Sequence, residues 1–178
     1  MIGFHDFPKF MFDENLSEVK KILMFNRYIW EVEVNEEPDI IIIGLPGGII
    51  PFNNNFTNRF GILAIEASLA VKPDVAVLSI PFGDYQKEIY SKFTNIVKHK
   101  LGFDVDAVVL SNVMPEWPII SQGIEMSYVR VESDFVDSKI KCFNNFDIPV
   151  FNIFNNSDVL KLSDYLIKKL LLKKVSKT

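Results

Sequence analysis

Four consecutive isoleucines, Ile40-Ile41-Ile42-Ile43, followed by Gly44 and Leu45, constrain this chain more than any other stretch. A strand with one face in water alternates apolar and polar side chains, because successive side chains point to opposite faces. A run that is apolar at every position predicts a strand covered on both faces, the situation of a parallel sheet between helices. Four more apolar runs, at 75–80, 107–110, 128–131 and 150–154, each end in turn residues.

Helical patterns fill the gaps. Tyr85, Ile89, Phe93, Ile96, Val97 and Leu101 recur at steps of three and four, with Lys87, Glu88, Lys92, Asn95 and Lys98 between them. That spacing predicts an amphipathic helix. A last helix carries Val159, Leu160, Leu166, Ile167 and Leu170, with Lys168, Lys169, Lys173 and Lys174 near its end, where cations complement the dipole. Asn15 with Glu18 three residues on resembles a capping box and predicts a first helix to about Glu33. Glu37-Pro38-Asp39 and Lys72-Pro73-Asp74 each precede an apolar run, and the distance between them is that of one strand–helix unit. The expected fold class is α/β: a single Rossmann-like domain over residues 1–178, with an open, mainly parallel five-stranded sheet and helices on both faces. Such a fold usually opens on a strand, whereas residues 4–13 read as irregular and a helix comes first. The start therefore suggests the C-terminal part of a longer protein.

Composition removes several function classes. Nineteen lysines and arginines against 23 carboxylates give a formal charge of −4, which argues against a nucleic-acid partner. The single cysteine, Cys142, excludes an internal disulfide and a cysteine-based zinc site. No apolar run approaches the ~20 residues of a membrane span, and no charged-then-apolar leader opens the chain. A cytoplasmic bacterial protein is expected. His5 and His99 match no metal-ligand spacing, so no metal is expected, and no cofactor is indicated.

Ligands of open parallel sheets bind beyond the carboxyl ends of the strands. After the first run the sequence there is Gly44-Leu45-Pro46-Gly47-Gly48-Ile49-Ile50-Pro51-Phe52-Asn53-Asn54-Asn55-Phe56-Thr57-Asn58. Glycines permit positive φ or close backbone approach, and a helix starting near Thr57 offers free N–H groups to an anion. Gly44, Gly47, Gly48, Asn53, Thr57 and Asn58 are thus candidate phosphate or carboxylate ligands, or else parts of a rigid turn and helix cap. Neither phosphate-loop fingerprint is present. Glu66 lies in a helix apolar nearly all round and must face solvent, pair with a cation such as Arg59, or point into a site. Asn26 reads as a hydrogen-bonded core amide. Ser79 and Asn112 stand at other strand ends, while Asp84, Ser133 and Ser157 read as helix caps. Trp117, in the stiff loop 114–118, either lips a site, meets a partner or packs on the sheet end. No nucleophile–base–acid set is visible, so whether the chain is an enzyme stays open.

Gly3-Phe4-His5-Asp6-Phe7-Pro8, Lys21-Ile22-Leu23-Met24-Phe25-Asn26 and the stretch from Pro38 to Ser79 resemble a known family. The family is the clostridial peptide-maturation-system proteins, of cassettes that make ribosomally synthesised, post-translationally modified peptides of bacteriocin type. The most specific part is 38–53 with 56–64. The resemblance implies a role beside modifying enzymes and exporters, and implies no catalytic residue set. The expected function is an accessory component of peptide natural-product biosynthesis that binds precursor peptide or a peptide-modifying enzyme. The alternative is a nucleotide- or small-anion-binding enzyme domain using the loop 44–58. A homo-oligomer fits either reading.

Overall fold

The computed structural model describes residues 3–143 and 146–175. The side chains of Lys87, Cys142 and Lys174, singled out above, lie outside the described residues. The chain divides into two compact units, Met1–Lys72 and Pro73–Thr178.

The first unit is helical. A 3-10 turn, Lys9–Phe12, leads into α1, Glu18–Glu36, whose N-cap is Ser17. The Ser17 hydroxyl accepts from Lys20 N at 3.4 Å, so Ser17 supplies the cap expected of Asn15. Glu37 closes α1 in the left-handed conformation, φ 45°, with its N–H donating to Glu33 O. After the loop come a left-handed turn, Asn58–Gly61, and α2, Ile62–Ala70. Phe25 of α1, Leu63, Ala67 and Ala70 of α2, and Met11 form the buried core, with Ile43 packed against it. With Ala64, also buried, that makes six buried apolar side chains among the described residues of this unit, a small core.

The second unit is a three-stranded parallel sheet with a separate hairpin. Strands β1 (Val77–Ile80), β2 (Ala107–Leu110) and β5 (Val150–Asn152) lie in the order β1-β2-β5. Val77 faces Ala107, and Val109 faces Phe151. α3 (Lys87–Leu101) joins β1 to β2 and ends at Gly102, φ 82°. Strands β3 (Val113–Pro115) and β4 (Tyr128–Arg130) pair antiparallel around the short α4 (Trp117–Ser121). α5 (Ser133–Ile140) precedes β5, and α6 (Asn156–Val175) follows it. Leu162, Tyr165 and Leu166 of α6 cover Ala107, Val109 and Phe151, on one face of the sheet. The opposite face presents Val108 and Leu110, both fully buried, and Asn152, whose side chain bonds to α5.

This corrects the expected fold class. The five strands form two separate sheets, three parallel and two antiparallel, in place of one continuous five-stranded Rossmann-like sheet. The run 128–131 contributes to the hairpin, where its partner is β3, a three-residue strand ending in Pro115 that the apolar pattern did not mark. The run 40–45, the strongest strand signal in the sequence, belongs to no sheet. The physical reason is that a strand exists only through its ladder, and among the described residues of the first unit there is no strand to pair with it.

Candidate functional site

The loop 44–58 is tied down by its own polar groups. Asn53 Oδ1 accepts from Asn55 N at 2.9 Å and Phe56 N at 2.8 Å, and Phe52 N donates to Phe56 O at 2.8 Å. Asn58 Nδ2 donates to Ile50 O at 2.8 Å. A Cβ on Gly48 would collide with the Asn58 side chain, so this glycine lets the loop close on that amide. Gly44 and Gly47 differ: a Cβ at either would meet open space, although Gly47 sits at φ 87°.

Where the loop meets α2 the backbone is strained. Asn58, Arg59 and Phe60 have φ of 49°, 49° and 55°, followed by Gly61 at 73°. Left-handed turns of L-residues cost roughly 1–2 kcal/mol per residue, with Asn the best tolerated after Gly. Phe60 N donates to Thr57 O at 2.8 Å, closing the turn, while Thr57 makes no side-chain cap bond there. Gly61 is required twice over, by its φ and because a Cβ would strike the carbonyl of Ile49. α2 begins with no side-chain cap bond.

Glu66 is 3% exposed on α2, and Lys21 of α1 is 2% exposed. Burial pushes the Glu66 pKa up; Lys21 and then Arg59 pull it down, and Glu18 pushes it up again. Glu66 Oε1 has no hydrogen-bond partner among the described residues. Sequence reasoning flagged Glu66 and missed Lys21. Lys21 occupies the same face as Phe25 and Tyr28, at the i, i+4, i+7 spacing of the core stripe, and that placement was the available signal. Asn26 Nδ2 donates to Ala70 O at 2.7 Å; it is hydrogen-bonded as expected, yet exposed. His5 pairs with Glu36 at 2.8 Å and meets the Tyr28 ring edge-on.

In the second unit the carboxyl ends of the strands carry a polar network. The Asn152 amide, fully buried at the end of β5, donates to Asp137 Oδ1 at 2.7 Å and Ser133 Oγ at 2.9 Å, while its Oδ1 accepts from Phe154 N at 2.9 Å. Asn155 Nδ2 donates to Asp137 Oδ2 at 2.9 Å, and Asn155 Oδ1 accepts from Ser157 N at 3.0 Å. These two amides, first Asn152 and then Asn155, hold the Asp137 carboxyl below its ordinary pKa. Ser79 is exposed on β1, and Asn112 O accepts from Val131 N at 2.7 Å where the hairpin begins. The expected caps fall elsewhere. Asp84 pairs with Lys139 at 2.6 Å, Ser133 serves Asn152, and the side chain at the start of α6 that accepts from Ser157 N is Asn155.

Of the nine candidate residues, Gly44, Gly47, Gly48, Asn53, Thr57, Asn58 and Glu66 lie in the first unit, and Ser79 and Asn112 in the second. Of these, Gly48 and Asn58 are brought close together. Among the described residues no group of three or more His, Cys, Asp or Glu side chains is placed to hold a metal. No protein-family model, no curated protein and no solved structure matches this chain.

A feature outside the candidate set is the outer surface of α1. Val19, Leu23, Trp30 and Val34 are 66, 65, 55 and 50% exposed. At 100° per residue they fall within one narrow stripe, on the side of the helix away from Lys21, Phe25 and Tyr28. α1 thus has two apolar faces, one in the core and one in solvent. No helix among the described residues is long and apolar enough to cross a membrane.

Proposed function

We propose that this chain is an accessory component of a peptide-maturation system, one that binds precursor peptide or a peptide-modifying enzyme and performs no chemistry itself. The observation that carries this reading is the second apolar face of α1. A surface helix of a globular protein has one apolar stripe, facing the core. Here a second stripe, centred on Trp30, faces solvent on a unit whose core is small. Aromatic anchors surrounded by aliphatic side chains are the usual centre of a protein-binding surface. The family resemblance of 38–53 with 56–64 supplies the kind of partner and a place beside modifying enzymes and exporters, and the expected location is the cytoplasm. The test is capture of cassette components by the full chain, repeated with Leu23→Asp and Trp30→Asp. Retention of a component by the wild type and its loss in both variants supports the reading; failure to retain any component refutes it.

A second reading, an anion-binding domain built on the loop 44–58, is favoured by the uncapped start of α2 and the open space around Gly44 and Gly47. Against it, the amides of Asn53 and Asn58 are engaged within the loop. A thermal-shift series with inorganic phosphate and nucleotides decides: a rise of several degrees that Gly47→Val abolishes supports the cradle, and a flat series removes it.

A further inference from the structure

Residues 40–45 make no hydrogen bond, through backbone or side chain, to any described residue. Their exposure alternates: Ile40 and Ile42 are 51 and 91% exposed, whereas Ile41 and Ile43 are half-buried, and Ile43 packs on the core. A period of two is the mark of strand-like backbone. The segment is therefore held along one side by the core and offers an unpaired row of N–H and C=O groups beside exposed isoleucines. Only another extended backbone supplies the matching alternation of acceptors and donors.

Charge narrows the occupant further. Residues 1–72 hold ten carboxylates and six lysines and arginines, so the whole formal charge of −4 resides in this unit. Half of those carboxylates, Glu31, Glu33, Glu36, Glu37 and Asp39, stand directly before Ile40 with no cation among them. Glu31 pairs with Arg27 and Glu36 with His5; Glu33, Glu37 and Asp39 are exposed and have no ion pair among the described residues. Parallel pairing of two copies would bring these like charges together, and antiparallel pairing would set each acidic end beside the uncharged 46–58 stretch, so neither arrangement gives the acidic end a counter-charge.

We infer that the 40–45 segment captures an extended peptide, apolar at alternate positions and basic at the end that meets Glu33, Glu37 and Asp39. This rests on the peptide-binding reading above and names the chemistry of the peptide. Main-chain bonds to 40–45 hold the peptide, its apolar side chains flank Ile42, and its basic end sets direction and salt dependence.

The experiment uses the full chain and a labelled synthetic octapeptide of alternating valine and threonine with two lysines at one end. Controls replace the lysines by glutamates, or N-methylate consecutive peptide bonds so that neither edge can form a ladder. Fluorescence anisotropy is expected to show binding of the lysine peptide, at least tenfold weaker binding of both controls, and at least tenfold loss with Ile42→Pro. Ile42 is almost wholly exposed, so this variant should keep its Tm; Ile42→Asp serves as a second variant where the Tm falls. Glu33→Lys with Glu37→Lys and Asp39→Lys should reverse the charge preference. Equal binding of the N-methylated peptide, or affinity unmoved by both Ile42 variants, overturns the inference. So does a dimer that Ile42→Pro dissociates, which would make a second copy the occupant. Cassette components retained by Ile42→Pro but lost in Trp30→Asp would overturn this inference and leave the proposed function standing. Binding of the probe without capture of any component would do the reverse.

Discussion

Lys21 of α1 and Glu66 of α2 are each almost completely buried, and Lys21 is the foremost of the charges that pull the Glu66 pKa down against its burial. Opposite charges removed from water are tolerated because they compensate one another, yet Glu66 Oε1 stays without a hydrogen bond among the described residues. The pair is a weak point as much as a support.

Its pH dependence has a definite sign. Burial raises the Glu66 pKa, so the folded chain holds this proton more tightly than the unfolded chain. The stability from Glu66 is complete below the ordinary glutamate pKa and is lost as pH rises through the raised folded value. Urea unfolding between pH 4 and 7 should show a component of stability falling over that window. In Glu66→Gln the component should vanish; an unchanged slope would contradict the assignment.

Asp137 behaves oppositely. Hydrogen bonds from Asn152 and Asn155 lower its pKa, so its contribution is present above the ordinary aspartate pKa and is lost as pH falls through the folded value. Asn152→Ala should raise the Asp137 pKa toward the ordinary value in an NMR titration. It should also cost about 2–4 kcal/mol, since Asp137 Oδ1 and Phe154 N both lose a partner.

Tyr90 of α3 is fully buried between Tyr85, Phe143 and Phe146, and its hydroxyl has no hydrogen-bond partner among the described residues. Burial accordingly raises its pKa well above that of an ordinary tyrosine. Tyr90→Phe keeps the ring contacts and removes the stranded hydroxyl, so thermal unfolding should show a gain of about 1 kcal/mol.

The glycines of the loop should separate into two groups. Gly61→Ala is expected to destabilise by about 2–3 kcal/mol, from positive φ together with the collision at Ile49 O. Gly44→Ala should fall within about 0.5 kcal/mol of the wild type, because nothing lies near its Cβ. Equal costs at the two positions would mean that the Ile49–Gly61 contact is not made in solution.

Helices were legible in the sequence because their period is local. The pattern from Tyr85 to Leu101 corresponds to α3, and the last pattern to α6, with starts displaced by a few residues. Strand partners were not legible, because pairing is a relation between distant residues that an apolar run cannot specify. Ile40–Ile43 carries every local mark of a strand and has no ladder, while Val113–Pro115 carries almost none and has one. The polar residues near strand ends were read as caps because Ser, Asn and Asp share that use. Asn152, which organises the end of β5, sat unnoticed inside an apolar run. In the loop 44–58, the glycines and asparagines were recognisable as special, but whether their polar groups bind one another or a ligand depends on closure against Asn58 and Gly61.

The left-handed turn at 58–61 has a consequence for chemical synthesis of this chain. Arg59 and Phe60 occupy a region of backbone space that is the mirror image of the one L-residues prefer. Their D enantiomers would occupy it without that cost, whereas at neighbouring positions of α2 the same inversion would break the helix. A chain assembled with D stereocentres at these two positions alone should therefore be the more heat-resistant of the two diastereomers. What joins loop to helix here is handedness, a property that a one-letter sequence does not write down.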